Sequence, residues 1–267
     1  MKIAVLIKQV PDTDEVKMDP EKGTMIRDGV GSLINPLDLN ALEAALFLKG
    51  ERGGTVTVLS MGPPQAERAL REGLALGADR AHLLSDRAFA GADTWATAKV
   101  LATLLEKTGP YDLVLAGEKA TDGETGQVGP EVATLLGLPF ATYVSRLSAT
   151  DGGLEVRRTV EEGYQRLRLP YPCLATVLHD LNEPSMPTLA GKKRGRRAEV
   201  TRWGLSDLGL EETEVGLSGS PTRVVRIAHP KITRQTAFYG ARDLDRGIAH
   251  VVALLKEKAL LQGGGQA

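Results

Sequence analysis

Apolar residues follow two rhythms along this chain, and the change from one to the other comes near residue 139. Before it, short apolar runs at 3–7, 55–60, 80–84 and 112–116 stand between segments whose apolar residues recur every three or four positions. An uninterrupted run suits a strand buried on both faces, and the longer spacing lays one apolar stripe along a helix. Pro36 opens the first predicted helix, Leu37, Ala41, Leu42, Ala44, Ala45 and Leu48 carry it, and Gly50 with Gly53-Gly54 ends it. A second runs from 65 to 76 with Gly77 past its end, a third from 93 to 108 under an Asp93 cap, and a fourth from 128 to 136. Strands alternating with helices predict a parallel sheet covered on both sides, with ligands at the carboxyl ends of its strands.

After Pro139 the apolar residues alternate singly over 142–147, 154–160 and 164–169, with Asp151-Gly-Gly153 and Glu161-Glu-Gly163 between them, as in antiparallel hairpins. Residues 172–178 form one more apolar strand. Segment 179–198 has few structural signals, 205–221 reads as a linker, and 242–261 is a helix before a Gly-rich end. Near the start, Pro11 makes 8–12 a loop, and 12–33 reads as a polar excursion holding a small hairpin. The fold class is therefore α/β: a doubly wound, mostly parallel sheet with an antiparallel hairpin region and a C-terminal arm. The expected division is 1–200, including the hairpins and the loop at 179–198, and a C-terminal extension over 201–267.

The stretch from Tyr111 to Leu138 holds the most chemistry. It is strand, Gly-containing loop and helix, so unpaired amides and the positive end of a helix dipole face the loop. Thr125 adds a hydroxyl, and Gly123 and Gly126 let backbone approach a ligand. Asp122 and Glu124 would repel a phosphate if they turned inward. Thr121-Asp-Gly-Glu124 also fits a capping box, so phosphate binding and plain helix capping both stand. The loop is neither a P-loop nor G-x-G-x-x-G. Lys8 to Pro11, Ser60 to Pro63 and Gly117 to Gln127 leave strand ends that share one crevice, which Asn35 to Asp38 can close from the following helix.

The 267 residues carry a formal net charge of −1, which gives no global attraction to nucleic acid or anionic lipid. A single cysteine, Cys173, excludes an internal disulfide and sits in an apolar strand like a packed small residue. No run of about eighteen apolar residues is present, so no membrane insertion is expected. The N-terminus lacks a secretory pattern, which makes cytoplasmic localisation the default. The four histidines lie apart without a second ligand at metal spacing. Glu161-Glu162 is a solvated turn before it is an acid–base pair. The basic run at 192–197 reads as a solvated loop or a dock for an acidic partner; without interleaved aromatics, nucleic acid fits it less well.

Val5-Leu-Ile-Lys-Gln-Val10, Asn35-Pro-Leu-Asp38, Ser60-Met-Gly-Pro63, Ala75-Leu-Gly-Ala-Asp-Arg80, residues 117–129 and Leu181-Asn-Glu-Pro-Ser-Met-Pro-Thr-Leu189 recur together in one order. In them the chain resembles the β-subunit of the electron transfer flavoproteins along nearly its full length. That resemblance implies a Rossmann-like adenine-nucleotide-binding fold and a heterodimer whose α-subunit holds most contacts to a redox-active FAD. It implies that the β-subunit helps enclose that FAD and binds AMP structurally in the crevice. The contacts would fall on Leu6, Asn35, Pro36, Leu37, Asp38, Met61, Gly117, Ala120, Thr121, Asp122, Gly123, Glu124, Thr125, Gly126, Gln127 and Val128. It further implies a partner-recognition loop with Leu189 as apolar anchor and Lys192 and Lys193 beside it.

Implied partners are the α-subunit, acyl-CoA dehydrogenases of fatty acid oxidation or other flavin dehydrogenases, and a quinone oxidoreductase. The chain would be an electron-carrier subunit, not an enzyme by itself. Residues 122–129 and 35–38 look closer to family members that hold a second FAD in place of AMP and split electron pairs, so that alternative stays open. A third reading, of another class, is a stand-alone adenine-nucleotide-binding sensor module.

Overall fold

The structure, a computed structural model, describes residues 1–12, 31–225 and 236–260. The first apolar run forms β1 (Lys2–Leu6), and the chain then makes a narrow antiparallel ribbon from β2 (Gln9–Pro11) and β3 (Ser32–Ile34). Residues 8–12 are thus not all loop, as Pro11 had suggested. Proline ends its strand opposite Ser32, at the end of a two-stranded ribbon where a missing N–H breaks no ladder. The expected hairpin at 12–33 falls mostly on residues outside the described ones.

Pro36 begins α1 (Pro36–Arg52), which continues through Gly50 and stops at Gly53. An exposed helical glycine costs only about 1 kcal/mol against alanine, too little to end a helix that buries Ala41, Leu42, Ala45 and Leu48 completely. Next come β4 (Thr55–Met61), α2 (Glu67–Leu76), β5 (Arg80–Leu84) and α3 (Thr94–Thr108). Asp93 caps α3, accepting from the Ala96 N–H at 3.0 Å, as expected. Then follow β6 (Leu113–Gly117), α4 (Val128–Leu135), β7 (Phe140–Thr150), β8 (Gly153–Val160), β9 (Gly163–Pro170) and β10 (Cys173–Val177).

One nine-stranded sheet takes them in the order β11-β5-β4-β1-β6-β10-β7-β8-β9, where β11 is Thr201–Trp203. Pairing is parallel from β11 to β7 and antiparallel from β7 to β9. α1 and α2 cover one face with Ile3, Val5, Val58, Leu113 and Leu115, and α3 and α4 cover the other with Ala4, Leu59, Val114 and Leu174. The hairpins bury Ala149, Leu154, Val156 and Leu169 in the α1–α2 core. That is why their strands alternate while the parallel ones do not: one face is wet.

The last third holds two elements that the pattern does not announce. Segment 179–198, with its few structural signals, contains α5 (Leu189–Arg197), capped by Thr188 and packed on α2. Its helical period was hidden because the side facing α2 is made of glycines. β11, three residues long, adds to β5 with no apolar run to announce it. α6 (Leu205–Leu208) follows it. The chain divides near residue 226 into two compact units. Within the second, α7 (Leu244–Glu257) buries none of its residues.

Candidate functional site

From β1 the chain passes through α1 to β4 and on to β5, then α3 carries it back across to β6 on the other side of β1. Loops leaving β1 and β6 therefore diverge, and a crevice opens between them at the carboxyl edge. The first turn of α1 spans its base. Asp38 accepts from the N–H of Lys8, just past β1, at 2.8 Å, and from the N–H of Gly117, the last residue of β6, at 3.0 Å. One carboxylate thus joins the two strands where they part. Asn35, fully buried, donates to the Lys119 carbonyl at 2.9 Å and accepts from the Thr121 N–H at 3.1 Å, fixing the start of the loop.

Gly117 makes this closeness possible: a Cβ there would meet Asp38 Oδ1 at 2.5 Å and Leu37 Cβ at 2.7 Å. Gly129 does the same for α4, since its Cβ would lie 2.5 Å from the Thr176 methyl. These glycines serve chain-on-chain packing. Gly123 differs, for its Cβ would meet nothing within 4 Å.

Burial pushes the Asp38 carboxyl up to about 7, against the opposing pull of its hydrogen bonds to Asn35, Lys8 and Gly117 and of the Lys8 charge. Above that value a buried charge rests on the two N–H donors. The acids in the loop are answered by lysines: Lys8 Nζ lies 2.7 Å from Asp122, and Lys119 Nζ lies 3.6 Å from Glu124. Lys8 and Lys119 lie in stretches that the sequence places at the crevice, but they were not among the expected contact residues. Their one signal was proximity to strand ends, which many surface lysines share.

The capping box does not form. Residues 121–123 make a turn, Glu124 has φ 53° with its N–H bonded to Ala120, and α4 starts only at Val128. Gln127, at the N-cap, makes no side-chain capping bond, so the helix start is left without one. Uncapped amides, two nearby lysines and open space at Gly123 fit the phosphate end of a nucleotide. Asn35, Asp38, Leu6 and Gly117 are buried and structural in their contacts, Met61, Leu37, Ala120, Asp122, Gly126 and Val128 are half-buried, and Pro36, Thr121, Gly123, Glu124, Thr125 and Gln127 are exposed.

The other group of expected site residues lies elsewhere. α2 follows β4 from the carboxyl edge, so its last residues return to the amino edge, and Gly191 of α5 sits against the Ala75 carbonyl there. Leu189, 82% exposed, begins α5, with Lys192 and Lys193 exposed on it. A neighbouring segment is tied to α1, with Asn40 and Asn182 exchanging side-chain and backbone bonds at 2.8–3.0 Å. Among the described residues no cluster suits a metal and no helix is long and apolar enough to cross a membrane.

A doubly wound α/β protein with a clamped switch-point crevice and a separate helical platform is the class that these features define. Residues 22–208 match the electron transfer flavoprotein domain. The electron transfer flavoprotein subunit beta of Thermoanaerobacterium thermosaccharolyticum is 50% identical over 262 residues, 98% of this chain and 100% of the relative. Subunit CarD of the caffeyl-CoA reductase-Etf complex of Acetobacterium woodii is 46% identical with the same coverage. Protein FixA of Azorhizobium caulinodans is 46% identical over 89% of this chain and 87% of its own length. The chain belongs to the electron transfer flavoprotein family, as a β-subunit.

Proposed function

We propose that this β-subunit binds AMP in the crevice between β1 and β6, closes with an α-subunit over a shared FAD, and carries electrons from flavin dehydrogenases toward a quinone reductase. The observation that carries the nucleotide reading is the uncapped start of α4 beside Lys8 and Lys119, at the switch point that Asp38 and Asn35 brace. Amides at 125–128 and the Thr125 hydroxyl would hold the phosphate, Lys8 would exchange Asp122 for it, and Leu6 and Met61 would flank the base. The shared flavin supplies the redox chemistry. The chain's own residues bind, orient and enclose. Leu189 would anchor dehydrogenases at the opposite edge of the sheet, with Lys192 and Lys193 steering.

A second reading, FAD in place of AMP, is favoured by the open space at Gly123, which leaves room for a larger pyrophosphate. One experiment separates the two. The chain is co-produced with its α-partner, the complex is heat-denatured, and released nucleotides are identified by mass. One FAD and one AMP per pair support the first reading, and two FAD the second. No adenine nucleotide beyond one FAD overturns the crevice assignment.

A further inference from the structure

The wet face of the hairpins carries a charge pattern that the crevice does not use. Arg146 on β7, Arg157 on β8 and Arg166 on β9 stand directly opposite one another across three strands. In the next row on that face, Glu155 lies between Ser148 and Arg168. The opposite face is the one buried in the core, so these side chains point away from it. Among the described residues none of the four arginines, nor Glu155, is in an ion pair. They line a groove of about 570 Å³ to which Leu147, Val156 and Leu167 also contribute.

Like charges placed directly across strands are destabilising, so a row of three needs an account. Protection of a sheet edge explains arginines on β9, the last strand in the order, but not Arg157 on the central strand between two like neighbours. A strand added beyond β9 would place one side chain in that row about 5 Å from Arg166 and, two residues along, another about as far from Arg168, so that carboxylates at alternate positions would meet both guanidinium groups, each able to take two parallel hydrogen bonds.

We infer that the arginine face and free edge of β9 dock an extended acidic segment of a partner polypeptide, with carboxylates at alternate positions. Two observations favour polypeptide over nucleic acid. The outer backbone groups of β9 have no strand partner among the described residues, and only a polypeptide can add to them as a strand. The groove is lined by no aromatic side chain on which bases could stack, and the nearby Tyr164 ring already has Arg157 over one face at 4.3 Å from its centroid. This inference is independent of what fills the crevice.

The test measures fluorescence anisotropy of a labelled ten-residue peptide of alternating Glu and Thr against the full-length chain, alone and paired with its α-partner. The expected result is binding that weakens at least tenfold in Arg166→Gln/Arg168→Gln, less in Arg166→Lys/Arg168→Lys, and vanishes for a Lys–Thr peptide. Loss of binding only in the pair supports the inference and identifies the α-subunit as the polypeptide that covers the groove. The double Gln variant should melt as the parent does, since neither side chain forms an ion pair. Unchanged peptide affinity in that variant overturns the inference, as does a single-stranded oligonucleotide of equal charge binding more tightly with the same arginine dependence.

Discussion

The crevice and the α5 platform are both places where glycine lets the chain approach itself, yet they are secured in opposite ways. At the crevice, Gly117 admits one buried carboxylate, and the joint rests on Asp38 and Asn35. At the platform, Gly191 and Gly195 lay α5 against the carbonyls of Ala75 and Arg71, and the joint is spread over many bonds. Arg71 donates to the carbonyls of Gly195, Arg196 and Ala198 at 3.0 Å each, and Arg194 to that of Leu74 at 2.9 Å. A concentrated joint leaves the rest of its loop unbraced by α1. A distributed joint holds a whole helix still, with Leu189 exposed at its start.

The largest effect that should separate the two is Gly117→Ala. Its Cβ would press on Leu37 Cβ at 2.7 Å and on the Leu37 carbonyl carbon at 2.8 Å, where nothing can swing aside. A loss of about 3 kcal/mol in urea unfolding is expected, with loss of the crevice nucleotide from the purified complex. Gly191→Ala forces a Cβ onto the Ala75 carbonyl. It should cost about 1–3 kcal/mol and impair reduction by a partner dehydrogenase while the nucleotide is retained. If both variants lost the nucleotide, the two joints would not be separate.

Asp38→Asn keeps the shape but replaces one acceptor oxygen with a donor, setting it against the N–H of Lys8 or Gly117. A cost of about 1–3 kcal/mol follows from one buried donor left unpaired. The variant also isolates a pH dependence. Burial raises Asp38 from 3.8 to about 7, so between those values the folded chain holds a proton that the unfolded chain has released. Its stabilising contribution is full below about 3.8 and is lost as pH rises through about 7. Melting temperatures of parent and variant, compared from pH 4 to 8, should converge as pH rises; a constant gap would count against a raised Asp38.

The smallest expected effect on the fold is that of Leu189→Ala. With its side chain in solvent, stability should move by no more than about 0.5 kcal/mol. Reduction by a docking dehydrogenase should still slow by roughly tenfold, as for loss of one apolar anchor. Normal transfer in this variant would remove the platform's proposed role.

Much of this was legible in residue order. The runs at 55–60 and 80–84 and the Asp93 cap lie within a residue or so of the observed elements, because a doubly buried strand and a capped helix are set by neighbours in the chain. The strand–loop–helix at 111–138 was legible for the same reason, as was the crevice at strand ends. The start of α4 was not. Thr121-Asp-Gly-Glu124 is a good local capping signal, but Asn35 takes the Thr121 N–H and places the loop otherwise. Nor was α5, whose buried side consists of Gly191 and Gly195 and so carries no apolar period.

By itself, then, the sequence determined the alternation of strands and helices, the hairpins and the residues near the crevice, all of them consequences of local periodicity and turn chemistry. Tertiary structure alone decided what those residues do. Asp38 became a clamp because β1 and β6, some 110 residues apart in the chain, end side by side beneath α1. Lys8 met Asp122 across the same gap, and three arginines spaced without pattern came into one row. Each is a contact between distant segments, which sheet pairing brings together and no local rule encodes.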